Sequence, residues 1–245
     1  MAYNTLDLEV SEGTATITLN RPPMNAVTDE MLDELVSACK TVEDDDTVHV
    51  IILTGAGRAF SAGRDVPGVL AGKERPGGSR YRILEEINMP VIAAVNGFCF
   101  TGAFELAMCA DLIIASDKAK FVDTHARFGI VPGGGQTQRL PRLIGARKAK
   151  ELLFTGRQLS ADEAEQIGIV NKVVPHDTLM EEAQAMAALI LENIPETISI
   201  EKRLINQSMT TTLEDGLELE AAEHPTGVIS PTSEGHKRME TLFKK

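Results

Sequence analysis

The chain lacks most of what would mark a secreted, membrane-bound or metal-dependent protein. Its 245 residues include three cysteines, Cys39, Cys99 and Cys109, each in an apolar helix or strand context and none in a C-x-x-C spacing. That count supports neither a disulfide framework nor a zinc site and suits buried, reduced thiols. The five histidines, His49, His125, His176, His224 and His236, show no ligand spacing, so no metal is expected. No apolar run approaches the roughly 18 residues that a membrane span needs, and the opening MAYNTLDLEV has neither a basic nor an apolar region of the targeting kind. A soluble, cytoplasmic protein is expected. Basic charge is also short: 24 Lys and Arg stand against 36 Asp and Glu, a formal net charge of -12. Phosphate backbones and acidic membranes need a basic face, so neither nucleic acid nor membrane is expected as a partner. There is no internal repeat and no Walker-type phosphate loop.

What is present is enough apolar material for a sizeable core, 43% of the residues. LDLEV and TATITL alternate apolar residues around Ser11-Glu12-Gly13, the pattern of a β-hairpin. Thr28 is placed to cap a helix whose first turn holds Asp29 and Glu30, with Met31, Leu32, Leu35, Val36 and Cys39 on one face. The acidic run Glu43 to Asp46 reads as a solvated loop, and HVIILTG as a buried strand. The order ββαβ then αβ predicts an α/β fold. Gly55-Ala56-Gly57 follows a strand, but the dinucleotide-binding fingerprint fails at Phe60. Residues 66–83 lack periodicity and read as a loop bearing Lys73, Arg75, Arg80 and Arg82, with helix resuming near Tyr81. Farther on, Ser160 and Glu163 have capping-box spacing. Asp177 is placed to cap a helix that runs to about Leu191, Pro195 breaks it, and helical segments follow over 197–208 and 213–223.

The rest is organised around Val91 to Leu140, VIAAVNGFCFTGAFELAMCADLIIASDKAKFVDTHARFGIVPGGGQTQRL. An apolar strand is followed by a small-residue turn containing Gly97 and Gly102, then by the helix formers AFELAMCA. A helix that begins at such a turn directs unpaired N–H groups outward and favours anionic oxygen there. Glu105 sits in its first turn, where it is either a dipole-stabilised surface residue or a functional carboxylate.

This stretch resembles the crotonase family, the enoyl-CoA hydratases and isomerases, in AAVNGFCFTGAFELAMCAD and DTHARFGIVPGGGQTQRL. NRPPMNAV (20–27), GRAFSAGRDV (57–66) and LFTGRQLSADEAEQIGIVNKVVP (153–175) resemble other family segments in the same order. The resemblance implies a spiral core of repeated β-β-α units over 1–195 and a C-terminal helical lid or oligomerisation segment over 196–245. It implies an acyl-CoA thioester as substrate, no cofactor beyond that CoA, and a homotrimer or homohexamer. It assigns the two oxyanion-hole N–H groups to Arg64 and Gly102, contacts with the substrate or its CoA to Met24, Ala62 and Asp65, and one catalytic carboxylate to Glu105. The basic cluster between Lys73 and Arg82 is expected either to meet the CoA phosphates or to be a solvated loop. Phe98, Phe100, Phe104 and Phe128 either narrow the acyl pocket or pack the core.

The departure from the family lies at His125, where relatives carry a second glutamate. Imidazole exchanges protons near neutral pH, so a Glu105 and His125 pair suits hydration of a 2-enoyl-CoA. The alternatives are another reaction of the family, isomerisation or carbon–carbon bond hydrolysis, and an acyl-CoA binder with weak chemistry. Family hydrolases of β-diketones also carry a His here, but pair it with an Asp in a P-G-D turn; this chain has Pro132-Gly133-Gly134. A structural His bonded to a backbone carbonyl is the remaining possibility.

Overall fold

The two alternating segments pair as an antiparallel hairpin, β1 (Leu6–Ser11) with β2 (Thr14–Leu19), in a register that sets Leu6 opposite Leu19. Glu12 and Gly13 both take positive φ, the backbone of the tight turns that match strand twist. This is a computed structural model, and it describes residues 2–72, 78–223 and 233–243.

Helix α1 (Asp29–Glu43) begins where the hydroxyl of Thr28 accepts the N–H of Met31 at 3.1 Å, and it buries Met31, Leu32, Leu35, Ala38, Cys39 and Val42. From there the chain winds as a spiral, laying one strand in a large sheet and the next in a small one. The successive pairs are β3 (Val50–Gly55) with β4 (Ala59–Ser61), β5 (Val91–Val95) with β6 (Phe98–Phe100), and β7 (Leu112–Ser116) with β8 (Lys120–Val122). The small sheet closes on β9 (Leu159–Ser160), and the large sheet on β10 (Lys172–Val174). The large sheet runs β1-β2-β3-β5-β7-β10, parallel from β2 onward, and the small one β4-β6-β8-β9. This is the expected α/β spiral of β-β-α units.

Short helices fill the crossovers: α2 (Val66–Leu70), α3 (Gly78–Tyr81) and α4 (Ile83–Glu86) after β4, and α5 (Gly102–Ala107) after β6. A 3-10 turn (His125–Phe128), α6 (Gln136–Ile144) and α7 (Ala146–Thr155) follow β8, and α8 (Ala161–Gln166) follows β9. The tail is α9 (Leu179–Leu191), α10 (Pro195–Ser208), α11 (Leu213–Glu223) and α12 (Glu234–Phe243).

Strand β3 shows why the centre reads as an unbroken apolar run. Ile51 and Leu53 enter the main core, while Val50 and Ile52 meet Leu179, Ala183 and Ala187 of α9 on the other face. A strand of a parallel sheet covered on both sides has no solvent face to make polar. Helix α10 is tied down by Lys202, whose buried ammonium contacts Asp111 Oδ2 at 2.8 Å and donates to the carbonyls of Leu84 and Met89 at 2.8 and 2.9 Å.

Several local expectations need correction. Asp177 lies in a 3-10 turn (His176–Thr178), and Thr178 occupies the cap of α9 without a side-chain bond. Pro195 starts α10 rather than leaving a gap before 197, since a proline at the first helical position gives up an N–H with no intrahelical partner. The expected loop over 66–83 contains helix α2, capped by Asp65 through the N–H of Gly68, and helix α3. No helix among the described residues is long and apolar enough to cross a membrane.

Candidate active site

Helix α5 is set by a strained residue. Thr101 has φ 53° and ψ −108°; it donates its N–H to Val122 O at 2.7 Å, and its hydroxyl pairs with that of Thr124 at 2.7 Å. The tie joins the start of α5 to the end of β8, which brings the two sequence-predicted acid–base residues onto facing elements. Glu105 is buried, so it is not the surface carboxylate that helix-dipole reasoning allowed. Its Oε1 accepts the N–H of Gly134 at 2.7 Å and of Gln136 at 3.3 Å, leaving Oε2 to face His125 Nε2 at 3.8 Å. Burial raises the Glu105 pKa above the ordinary 4.5, against the opposing pull of His125 and the two N–H groups.

His125 is also buried, and its partner is a carboxylate rather than a backbone carbonyl. Asp123 Oδ2 lies 2.9 Å from His125 Nδ1, and Asp123 Oδ1 accepts the backbone N–H of His125 at 3.0 Å. Burial alone would lower the imidazole pKa below 6.5, but the Asp123 hydrogen bond and the charges of Asp123 and Glu105 raise it overall.

Asp123 is the residue the sequence reading missed. The P-G-D position falls at Gly134, where a Cβ would lie 2.6 Å from Glu105 Oε2 and 2.5 Å from Tyr81 Cε2. No side chain fits there while Glu105 holds this position. The available signal was the D-x-H spacing itself, because an Asp readily bonds the backbone two residues on.

Gly102 and Arg64 lie side by side. A Cβ on Gly102 would stand 3.5 Å from Arg64 N, 3.3 Å from Arg64 Cγ and 3.1 Å from the Tyr81 hydroxyl. The segment bearing Arg64 is laced to the one before α1: Ala62 N donates to Met24 O, Val27 N to Gly63 O and Asp65 N to Val27 O, each within 2.8–2.9 Å. Asn25 adds to this by donating to the carbonyls of Ala56 and Ala59. Met24 and Ala62 are half-buried on this wall. Asp65 spends its carboxylate on Arg21 at 3.1 Å and on Gly68 N at 2.9 Å.

Tyr81, likewise unforeseen, is buried against the glycines, and burial followed by the charge of Glu105 pushes its phenol pKa well up. Two cations of the expected basic cluster are engaged internally: Arg80 bonds Asp29 and Asp33 of α1, and Arg82 pairs with Glu86 at 2.9 Å. Lys73 and Arg75 lie outside the described residues. Phe104 packs on Phe121 with ring centroids 5.4 Å apart, whereas Phe128 is exposed. Among the described residues no group of His, Cys, Asp and Glu is placed to hold a metal ion.

The arrangement can hold an oxygen-rich substrate against two backbone donors and exchange protons at Glu105 and His125. The chain as a whole is similar to known proteins. Residues 9–239 match the family profile described as enoyl-CoA hydratase/isomerase. The chain is 41% identical over 230 residues to a crotonyl-CoA hydratase of Syntrophomonas wolfei, covering 90% of this chain and 88% of that one. It is 40% identical, with the same coverage, to a short-chain-enoyl-CoA hydratase of Clostridium acetobutylicum. A crystal structure of an enoyl-CoA hydratase from Bacillus anthracis superposes with a TM-score of 0.89 at 34% identity, covering 98% of this chain and 97% of that one.

Proposed function

This chain belongs to the enoyl-CoA hydratase/isomerase family, and from that membership and the geometry of its site we propose that Glu105 and His125 carry its chemistry. It is a lyase of the hydratase kind, adding water across the double bond of an enoyl-CoA. The observation that supports this assignment of residues is the 3.8 Å approach of Glu105 Oε2 to His125 Nε2. Two atoms so spaced both lie within hydrogen-bond reach of one water oxygen, about 2.8 Å from each. Glu105 takes a proton from that water as its oxygen adds to the β-carbon. The electron pair moves to the thioester oxygen, where the N–H groups of Arg64 and Gly102 stabilise the enolate by about 3 kcal/mol each. The α-carbon then takes a proton from the acid–base pair, and the product is the 3-hydroxyacyl thioester.

Met24, Ala62 and Asp65 are the contacts proposed for the substrate and its CoA, and Asp65 also braces this wall through Arg21. Under the same reading no cofactor is used besides the CoA of the substrate, and the protein is cytoplasmic. Residues 1–195 form the acyl-CoA-binding core, and residues 196–245 act as a lid and oligomerisation segment of a homotrimer or homohexamer.

One observation favours a second reading. The Asp123 and His125 pair is a carboxylate-bound imidazole, the kind of pair that family hydrolases of β-diketones build from the P-G-D turn that this chain lacks, which favours carbon–carbon bond hydrolysis of a β-diketone-like substrate. Steady-state hydration of crotonyl-CoA, run beside a binding titration of the same thioester and an assay of β-diketone cleavage, decides among these. Turnover of crotonyl-CoA supports hydration; tight binding without turnover would leave only a binder, and cleavage without hydration would move the assignment to the hydrolase.

A further inference from the structure

We infer that Asp123 is a positioning residue that fixes His125 as the proton donor of the pair, with Nε2–H turned to the reacting carbon, and so leaves Glu105 as the base. This rests on the assignment of Glu105 and His125 to the chemistry and adds a division of labour to it.

The geometry carries the argument. Both oxygens of Asp123 are spent on one residue, Oδ1 on the His125 backbone N–H and Oδ2 on Nδ1. A carboxylate accepts only, so Nδ1 must hold a proton. Nε2 is then the one ring nitrogen left for chemistry, and it faces Glu105 Oε2 at 3.8 Å. A neutral ring in that tautomer would aim an Nε2 lone pair at a carboxylate oxygen. The imidazolium instead donates Nδ1–H to Asp123 and turns Nε2–H toward Glu105 Oε2 across 3.8 Å, so two buried carboxylates flank one buried cation. Proton-fixing by a carboxylate on the far nitrogen is the general logic of histidine-based catalysis.

The surrounding charges keep that balance. Glu105 faces the ring from α5, and Asp123 faces it from the end of β8. Arg127, on the same 3-10 turn, is turned away to the carbonyl of Gly156 at 2.6 Å. Beyond Glu105 lie the Tyr81 phenol and Arg139, the latter held by Glu85 at 2.5 and 2.6 Å. The local field thus favours the charged ring, in the same direction as its raised pKa.

The proton count closes. Glu105 gains the proton that water loses, His125 gives one to the α-carbon, and the product has gained one H2O. The pair resets when the Glu105 proton passes to Nε2.

The test is the pH profile of kcat/KM for crotonyl-CoA hydration in wild type, Asp123→Asn and His125→Gln, with the 15N signals of His125 recorded by NMR. An Asn has one acceptor oxygen. If it keeps the backbone N–H, its NH2 meets Nδ1 and forces the neutral Nε2–H tautomer. The donor role requires an alkaline limb in wild type above the ordinary imidazole value. Asp123→Asn should move that limb down by about one pH unit or more and lower the rate at pH 8 about tenfold, with KM within about twofold. The wild-type NMR signals should be those of imidazolium at pH 7.

An unmoved alkaline limb in Asp123→Asn beside an inactive His125→Gln would overturn the inference and leave the underlying assignment standing. A wild-type rate that rises with pH through the imidazole range would overturn it as well, since His125 would then be a base. A His125→Gln enzyme with wild-type rate and profile would instead sink the assignment itself. Should Asp123→Asn fail to fold, the wild-type NMR decides: a neutral His125 at pH 7 refutes the donor role.

Discussion

The carboxylate of Glu105 and the backbone of Gly134 lie against each other. Glu105 Oε1 accepts the Gly134 N–H at 2.7 Å, while the space a Cβ would need on Gly134 is filled by Glu105 Oε2 and the Tyr81 ring. The loop between β8 and α6 thereby orients the base and is denied any side chain at that point.

Gly134→Asp, which would recreate the P-G-D turn of family hydrolases, should therefore cripple this protein rather than convert it. The new side chain must displace Glu105 or Tyr81, and kcat for crotonyl-CoA should fall on the order of 100-fold, as for a misplaced reacting group. A Gly134→Asp enzyme that keeps wild-type kcat would show that Glu105 acts from another position.

Replacing Glu105 with Gln removes a proton acceptor and keeps the shape. Turnover should drop by about 10²- to 10⁴-fold, the range for loss of a general base, while thioester affinity in a direct titration stays within a few fold. Near-normal kcat would take Glu105 out of the mechanism.

A branched side chain at Gly102 would enter the space shared by Arg64 N and the Tyr81 hydroxyl. Gly102→Val should lower both kcat and thioester affinity, with kcat/KM down by at least 10²-fold, because the substrate oxygen is pushed off its donors. Unchanged kinetics would put the oxyanion site elsewhere.

Cys39 and Cys109 have their thiol pKa values pushed up to about 12 by burial, and burial also raises Cys99 well above the usual range. A group whose pKa is raised stays protonated as pH climbs toward it, so at pH 8 only about one Cys39 in ten thousand is thiolate. A thiol reagent should titrate none of the three in the native protein at pH 8 and all three in denaturant. Rapid native labelling would contradict their burial.

Lys202 offers a test of stability. Truncation to Ala leaves Asp111 without its ammonium and the carbonyls of Leu84 and Met89 without a donor. The loss should be about 3 kcal/mol, the scale for breaking a buried pair from one side, visible as a lower midpoint in urea. A midpoint unchanged from wild type would mean that α10 is held by its apolar contacts alone.

The elements that sequence described well are those governed by neighbours along the chain. The hairpin, the Thr28 cap and the Ser160–Glu163 capping box depend on local spacing, and the box forms with both reciprocal bonds. Burial of β3 was legible because a run apolar on both faces has few other uses. What stayed hidden depends on contacts between distant segments. The lysine inside α10 looks like any solvated residue until Leu84, Met89 and Asp111 are brought to it. Tyr81 lies next to a stretch with no periodicity, so nothing local tied it to Gly102 and Gly134. Asp123 was hidden differently: its partner is two residues away, but an Asp two residues before a His is as well suited to a turn as to holding an imidazole. Pro195 is ambiguous from sequence because a proline can both end one helix and start the next.

Arg64 illustrates how a residue assigned to act through its peptide nitrogen still depends on its side chain. The guanidinium reaches Asp29 Oδ1 at 2.9 Å, and Arg80 bonds the same carboxylate. The start of α1, the strand-like segment at 61–65 and α3 thus converge on one aspartate. A backbone donor is ordinarily indifferent to the residue that bears it, so such positions drift freely under mutation. Here the guanidinium moors its own amide, and position 64 should accept few residues even though none of its side-chain atoms is assigned to the substrate. Asp29 inherits the same intolerance from a helix end that has no part in the chemistry.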